Sequence, residues 1–289
     1  MAEPSLALQP VRRCKGHQMN DPTTRTTTYS DTSYVDAERY AAAHDGWDVY
    51  ARFFHSRLHA VSQQLAAVGG GSLLDVGCGP GMLVRHLVDT RPGDFKVSAL
   101  DQSPAMIRAA DKRLRDAAGV EFCVAAAEDM PLPDASFDVV LATGVLEYTD
   151  VPRVLDEIAR VTRPGGVVVA TMLNPHSLYR LVEWCIFWPG LRLLGRLERA
   201  VGVPAGRRHG SAKTGICTQS VRGLRKALRV AGLEPEDLVY FDVTPTVPPF
   251  DRLARRVNRG WRDHPETTVG RGARGVLGTA YLLTARKAG

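Results

Sequence analysis

Residues 73 to 81 read Leu-Leu-Asp-Val-Gly-Cys-Gly-Pro-Gly. A short apolar run ends in Asp75, glycines fall at 77, 79 and 81, and a helical stretch opens at Met82. The pattern describes a strand, a turn too tight for side chains and a helix N-terminus. Such a turn lets a ligand lie against backbone N–H groups beside the positive end of a helix dipole. The fitting chemistry is a nucleoside-like cofactor held at the carboxyl edge of a parallel sheet. A second apolar run ends in Leu100-Asp101, 26 residues after Asp75. A carboxylate there is placed to accept hydrogen bonds from both hydroxyls of a ribose. A third run leads into Ala126-Ala127-Glu128-Asp129-Met130, where an acidic side chain and a backbone N–H can read an adenine edge. The dinucleotide fingerprint GxGxxG fails, because Met82 stands where its third glycine belongs. An Asp ahead of the glycines also suits a cationic or amine-bearing ligand better than a pyrophosphate.

The elements that must position these groups follow from periodicity. Strands are predicted at 72–76, 96–100, 120–124, 137–142 and 166–172, with helices at about 82–90, 103–117 and 151–162 between them. Ser103 reads as an N-cap with Pro104 at the first helical position. Arg163-Pro164-Gly165-Gly166 reads as a stop before the fifth strand. This alternation implies a parallel sheet with helices on both faces. Ahead of it, Tyr40, Trp47, Tyr50, Phe53, Phe54, Leu58, Val61 and Leu65 fall on one helical stripe, closed by Gly69-Gly70-Gly71. After it come an aromatic insertion, a helix at 219–231, a strand at 237–243, a proline- and arginine-rich segment at 244–275 read as irregular, and a last strand at 278–286. The chain thus divides into a disordered tail (1–33), an N-terminal helical cap (34–70) and a core (71–289) that includes an insertion at 174–218.

With 289 residues, 44% hydrophobic and 24% charged, the chain has the make-up of a globular protein with a sizeable core. No apolar run reaches the length of a membrane span, and Arg12, Arg13 and Lys15 precede no apolar signal core. Five dispersed cysteines, without a CxxC pair or zinc spacing, predict free thiols, a reducing cytoplasm and no metal. The net charge of +6 is uneven: residues 191–289 carry 19 Lys and Arg against 8 Asp and Glu. That basic third keeps a nucleic-acid partner as a minority reading.

Four segments resemble class I S-adenosylmethionine-dependent methyltransferases of the small-molecule branch, which includes the ubiquinone and menaquinone methyltransferases. They are Leu-Leu-Asp-Val-Gly-Cys-Gly-Pro-Gly, Ala-Leu-Asp-Gln-Ser-Pro-Ala-Met, Ala-Glu-Asp-Met-Pro-Leu-Pro-Asp-Ala-Ser-Phe-Asp-Val-Val and Glu-Ile-Ala-Arg-Val-Thr-Arg-Pro-Gly-Gly. The likeness covers about 70–172 closely and 219–286 loosely. It implies an α/β, Rossmann-like seven-stranded sheet whose last strand is antiparallel, with N-terminal helices and a substrate-covering insertion after strand five. It also implies S-adenosylmethionine as cofactor, with Gly77, Gly79 and Gly81 facing the methionyl part and Asp75 helping to hold the turn. Asp101 would bind the ribose, Gln102, Glu128 and Asp129 would flank the adenine, and Thr143 and Gly144 would approach the methionyl amine. Tyr34 and Tyr40 would close the pocket.

Methyl transfer from a sulfonium draws most of its acceleration from alignment, and a base is needed only where the acceptor must lose a proton. Glu147, after strand four, and His176, after strand five, are the candidates for that role, with His209 and Tyr179 behind them. Asn174-Pro175 is not the Asn/Asp-Pro-Pro-aromatic motif of base-amine methyltransferases, which would follow strand four. Trp184, Phe187 and Trp188 in the insertion imply a hydrophobic acceptor such as a quinone, polyketide or isoprenoid. Packing against the sheet, a homo-oligomer contact or a membrane-surface contact are the other readings of that helix. Two rival functions stay open: an RNA-modifying methyltransferase and a non-catalytic cofactor-binding scaffold.

Overall fold

The computed structural model describes residues 37–46, 49–202, 217–247, 250, 254–275 and 277–289. The tail at 1–33, Tyr34 and His209 lie outside them.

Seven strands form one sheet: β1 (Gly71–Val76), β2 (Phe95–Asp101), β3 (Val120–Val124), β4 (Phe137–Ala142), β5 (Thr162–Leu173), β6 (Leu233–Phe241) and β7 (Ala280–Lys287). Their order is β3-β2-β1-β4-β5-β7-β6. β1 runs parallel to both β2 and β4, whereas β7 pairs antiparallel with β5 and β6. Six strands share one direction and the seventh opposes them, as the resemblance implied.

Alternation along the strands sends neighbours into different layers. Leu74, Val76 and Val140 face one side, packed with Leu155 and Ile158 of α5 (Val151–Val161) and with Leu224 and Leu228 of α8 (Val221–Val230). Leu73, Val139 and Leu141 face the other, packed with Leu65 of α2 (Val49–Leu65), Leu87 of α3 (Met82–Thr90) and Ile107 of α4 (Pro104–Arg113). Each such leucine removed from water contributes roughly 1.5–3 kcal/mol. The chain order reverses between β1 and β4, so their carboxyl ends flank the crevice where open α/β sheets bind ligands.

Four boundaries differ from the sequence reading. The N-terminal helical stretch is two helices, α1 (Ala37–His44) and α2, parted at Asp45-Gly46. β5 begins at Thr162, because Thr162 pairs with Phe137 and the Pro-Gly residues form an irregularity before Val167 pairs with Val139. β6 begins at Leu233, drawn into the sheet by its register with Lys287. The segment expected to be irregular contains a helix, α9 (Arg255–Asp263), lying against α2. Its Val257 is exposed and its Asn258 is buried. The helix is therefore anchored by a polar residue, which hydrophobic periodicity cannot detect.

That anchor belongs to a buried cluster centred on Arg52, which is fully buried. Its Nε donates to Asp242 at 2.6 Å and its Nη1 to Asn258 at 2.8 Å. Asp242 also accepts from Thr279 at 2.6 Å, and its own N–H donates to Ser56 at 2.7 Å. Helix α2, the ends of β6 and β7, and α9 are thereby clamped together beside the crevice.

Candidate functional site

A cavity opens at the carboxyl ends of β1 and β4. The glycine turn forms its floor, Thr143 and Gly144 one wall, and Tyr40, His44 and Arg57 its roof. Asp75 and Asp101 both line it. At Gly77, φ is +72° and a Cβ would meet Val145 at 2.7 Å, so a side chain there would strain the backbone and collide. At Gly79, φ is +54° and the nearest atom to a Cβ would be the Tyr40 ring at 4.0 Å. Tyr40 thus sits over the turn, edge-on to His44 and Phe54.

The turn does not present bare N–H groups to a ligand. Gly77 and Cys78 N–H both donate to the Leu100 carbonyl, at 2.7 and 2.9 Å, and Gly81 N–H donates to the Cys78 carbonyl. Gly79 N–H donates to Asp101 Oδ2 at 2.9 Å, while Ser103 N–H donates to Asp101 Oδ1 at 2.8 Å. Asp101 therefore holds the turn, the role expected of Asp75. Its remaining lone pairs leave room for further donors. What the glycines offer a ligand is the space that side chains would fill.

Asp75 has the opposite character. It is 1% exposed, and neither carboxylate oxygen has a hydrogen-bond partner among the described residues. Burial pushes its pKa up to about 7, with the positive charge of Arg57 opposing and the Asp101 charge reinforcing the rise. A buried carboxyl without partners is costly. Its place on the cavity wall makes it a receptor for a donor, above all a cationic one.

Arg57 is the strongest cation lining the cavity, and nothing in the sequence singled it out. Its guanidinium lies over the rings of Phe53 and Phe54, at 5.8 and 5.2 Å. A Cβ on Gly144, whose φ is +72°, would come within 2.2 Å of Arg57 Nη1. The guanidinium rests on the backbone at the end of β4 and makes no hydrogen bond with a described residue. His44 stacks on Phe54, and its pKa is lowered to about 4, chiefly by burial. It is therefore neutral near pH 7, with Nδ1 donating to the Tyr40 carbonyl at 3.1 Å.

The other expected residues are dispersed around this centre. Thr143 is buried on the wall, and Gly144 N–H donates to the Thr171 hydroxyl at 2.8 Å. Gln102 and Asp129 are exposed and, like Glu128, are not among the residues that line the cavity. Glu128 accepts from Asp150 N–H at 3.1 Å, tying the end of β3 to the start of α5. Glu147 sits in a single 3-10 turn (Leu146–Tyr148), 4% exposed, with Oε2 unpartnered. Burial raises its pKa to about 7, against the lowering charges of Arg57 and Arg180. His176 is exposed, lies off the cavity lining and offers its backbone N–H to Asn174. Among the described residues no cluster of His, Cys, Asp and Glu is arranged to hold a metal.

Residues 74–170 match the protein family described as "Methyltransferase domain". The chain is 36% identical over 126 residues to the malonyl-[acyl-carrier protein] O-methyltransferase of Serratia marcescens, covering 42% of this chain and 47% of that protein. It is 35% identical to the fatty-acid O-methyltransferase of Mycolicibacterium smegmatis, covering 47% of this chain and 48% of the other. It thus spans about half the length of these curated relatives. A crystal structure of an S-adenosylmethionine-dependent methyltransferase from Thermotoga maritima superposes with a TM-score of 0.54 at 21% identity, over 86% of this chain and 93% of that one. The fold is shared, and the resemblance carried by the four motifs is borne out.

Proposed function

We propose, with residues 74–170 forming a methyltransferase domain as the premise, that this chain transfers a methyl group from S-adenosylmethionine to a lipid-like small molecule. The observation that carries the cofactor reading is Asp75, a buried carboxyl with both oxygens unpartnered beside a turn free of side chains. A methionyl ammonium supplies the cation that Asp75 lacks. Arg57, lying on Gly144 with no hydrogen bond to a described residue, is suited to pair with the methionyl carboxylate. Asp101 would add ribose hydroxyls to the two N–H groups it already accepts. Gln102, Glu128 and Asp129 would border the adenine. Gly77, Gly79, Gly81, Thr143 and Gly144 would shape the methionyl channel, and Tyr40 would cover it.

When bound, S-adenosylmethionine supplies a methyl group activated by its sulfonium. The residues of this chain need only align an acceptor and manage its proton. Glu147, its carboxyl raised to about 7 by burial, is the first candidate to take a proton from an acceptor hydroxyl, from a buried position just outside the residues that line the cavity. His176, exposed beyond β5, is the second candidate for that proton. The lipid-like acceptor is supported by the acyl substrates in the names of the Serratia and Mycolicibacterium relatives. The apolar residues that follow β5 support it as well.

Titration calorimetry with S-adenosylmethionine and with its demethylated product tests the cofactor reading. Both are expected to bind, and Asp101→Ala to lose about 1–3 kcal/mol of affinity through the turn and the ribose. Absence of binding by the parent chain, or an unchanged affinity in Asp101→Ala, would refute it. Incubation with fatty acids, isoprenoid alcohols and quinols, read by product mass, tests the acceptor class.

A further inference from the structure

We propose that the helical segment after β5, residues 178–201, docks this chain on an anionic lipid bilayer. The inference goes beyond the methyltransferase reading and stands on separate observations. The segment runs as α6 (Leu178–Val182), a π-helical turn (Glu183–Phe187) and α7 (Trp188–Ala200). Among these residues only Gly195 is buried. Leu178, Leu181, Leu193, Leu197 and Val201 are 47, 47, 57, 58 and 80% exposed. Leu193, Leu197 and Val201 follow one another at spacings of four and share one side of α7, and Leu178 and Leu181, three apart, share one side of α6. Trp184 and Ile186 are exposed as well, at 43 and 66%. An apolar face of this size is not the surface of a helix that water alone surrounds.

The charges identify what covers it. Arg192, Arg196 and Arg199 repeat at intervals of four and three, directly beside the exposed leucines, and form a row along one flank. All three are exposed and make no ion pair with a described residue. The acidic residues of the segment are Glu183 and Glu198, and Glu183 is paired with Arg180. An apolar face, indole rings and a flanking cationic row are the features of a helix lying in a membrane interface. A second copy of the chain would instead bring two arginine rows onto one contact. No described helix is long and apolar enough to cross a membrane, so the segment lies on the bilayer. It leaves β5 at the carboxyl edge of the sheet, the edge that also carries the cofactor cavity. Docking by this helix turns that edge toward the lipid, where a lipid-like acceptor resides.

The test is co-sedimentation of the full chain with phosphatidylcholine vesicles, with and without phosphatidylglycerol. The expected result is binding to the anionic vesicles that weakens with salt. Arg192→Gln, Arg196→Gln and Arg199→Gln together should weaken it on the order of 100-fold. The double variant Leu193→Glu, Leu197→Glu should abolish it. Both variants should keep the parent's affinity for the demethylated cofactor, which shows that they fold. Absence of vesicle binding, or equal binding to neutral and anionic vesicles, would overturn the proposal. So would a dimer that Leu193→Glu, Leu197→Glu converts to a monomer without any vesicle binding by the parent. Vesicle binding by a chain that binds no cofactor would refute the methyltransferase reading and leave this one standing.

Discussion

Asp75 and Asp101 lie at the ends of adjacent strands, and their surroundings divide the work between them. Asp101 is occupied by two backbone N–H groups, and Asp75 by none. The consequence is a pH dependence with a defined sign. The Asp75 carboxyl titrates near 3.8 when unperturbed and near 7 in the fold. Between those values the folded chain keeps a proton that the unfolded chain has lost, so stability falls as pH rises, on the order of 4 kcal/mol for a shift of this size. Asp75→Asn removes that loss. Thermal scans without cofactor should show the variant gaining stability over the parent at pH 8 and little at pH 4. It should also lose cofactor affinity, since an amide cannot neutralise an ammonium. Arg57 allows a sharper dissection. Arg57→Ala should weaken the demethylated cofactor roughly 10- to 100-fold, the value of a charged hydrogen-bonding partner. Affinity for 5′-methylthioadenosine, which has no carboxylate, should stay at the parent's level. Equal losses for both ligands would remove Arg57 from the methionyl site. Asp75 was legible because it stands in the glycine motif. Arg57 was not, because one arginine on a helix surface carries no local signal of what it faces.

At the scale of elements, local chemistry accounts for the parallel half of the sheet. The periods of the runs at 72–76, 120–124 and 137–142, the Ser103 cap and the glycine punctuation are local properties, and the observed strands and helices follow them closely. The misread elements are those shaped by distant partners. α9 exists beside α2 because Asn258 meets Arg52, more than 200 residues away in the chain. β6 starts early because β7 offers it a register. The Arg52 cluster also sets the position of α2, the helix that carries Arg57 over the cavity. Arg52→Ala would leave Asp242 buried and unpaired, which should cost about 3–5 kcal/mol. Denaturant titration checks this value, and a loss below 1 kcal/mol would mean that the clamp is not what holds the cap.

At the scale of the molecule, the cavity joins the helices α1 and α2 to the ends of β1, β2 and β4, so ligand and fold are linked. Saturation with the demethylated cofactor at 100 times its Kd should add about 2.7 kcal/mol of stability. A chain of this size converts that into a rise in Tm of roughly 4–5 °C, readable by calorimetry. A rise produced equally by adenosine would place the binding energy in the nucleoside and away from Asp75 and Arg57. The sequence by itself determined the alternation of strands and helices from 72 to 172, the glycine turn at 77–81, the carboxylates at the ends of β1 and β2 and the nucleoside chemistry that such a turn suits. All of these rest on interactions between residues near one another in the chain, whose spacing records them directly. The tertiary structure alone decided which carboxylate holds the turn and which is buried without a hydrogen-bond partner among the described residues. It also brought His44 and Arg57 to the cavity and left the helix after β5 exposed. Those outcomes depend on burial and on contacts across the whole chain, and linear spacing carries no record of either.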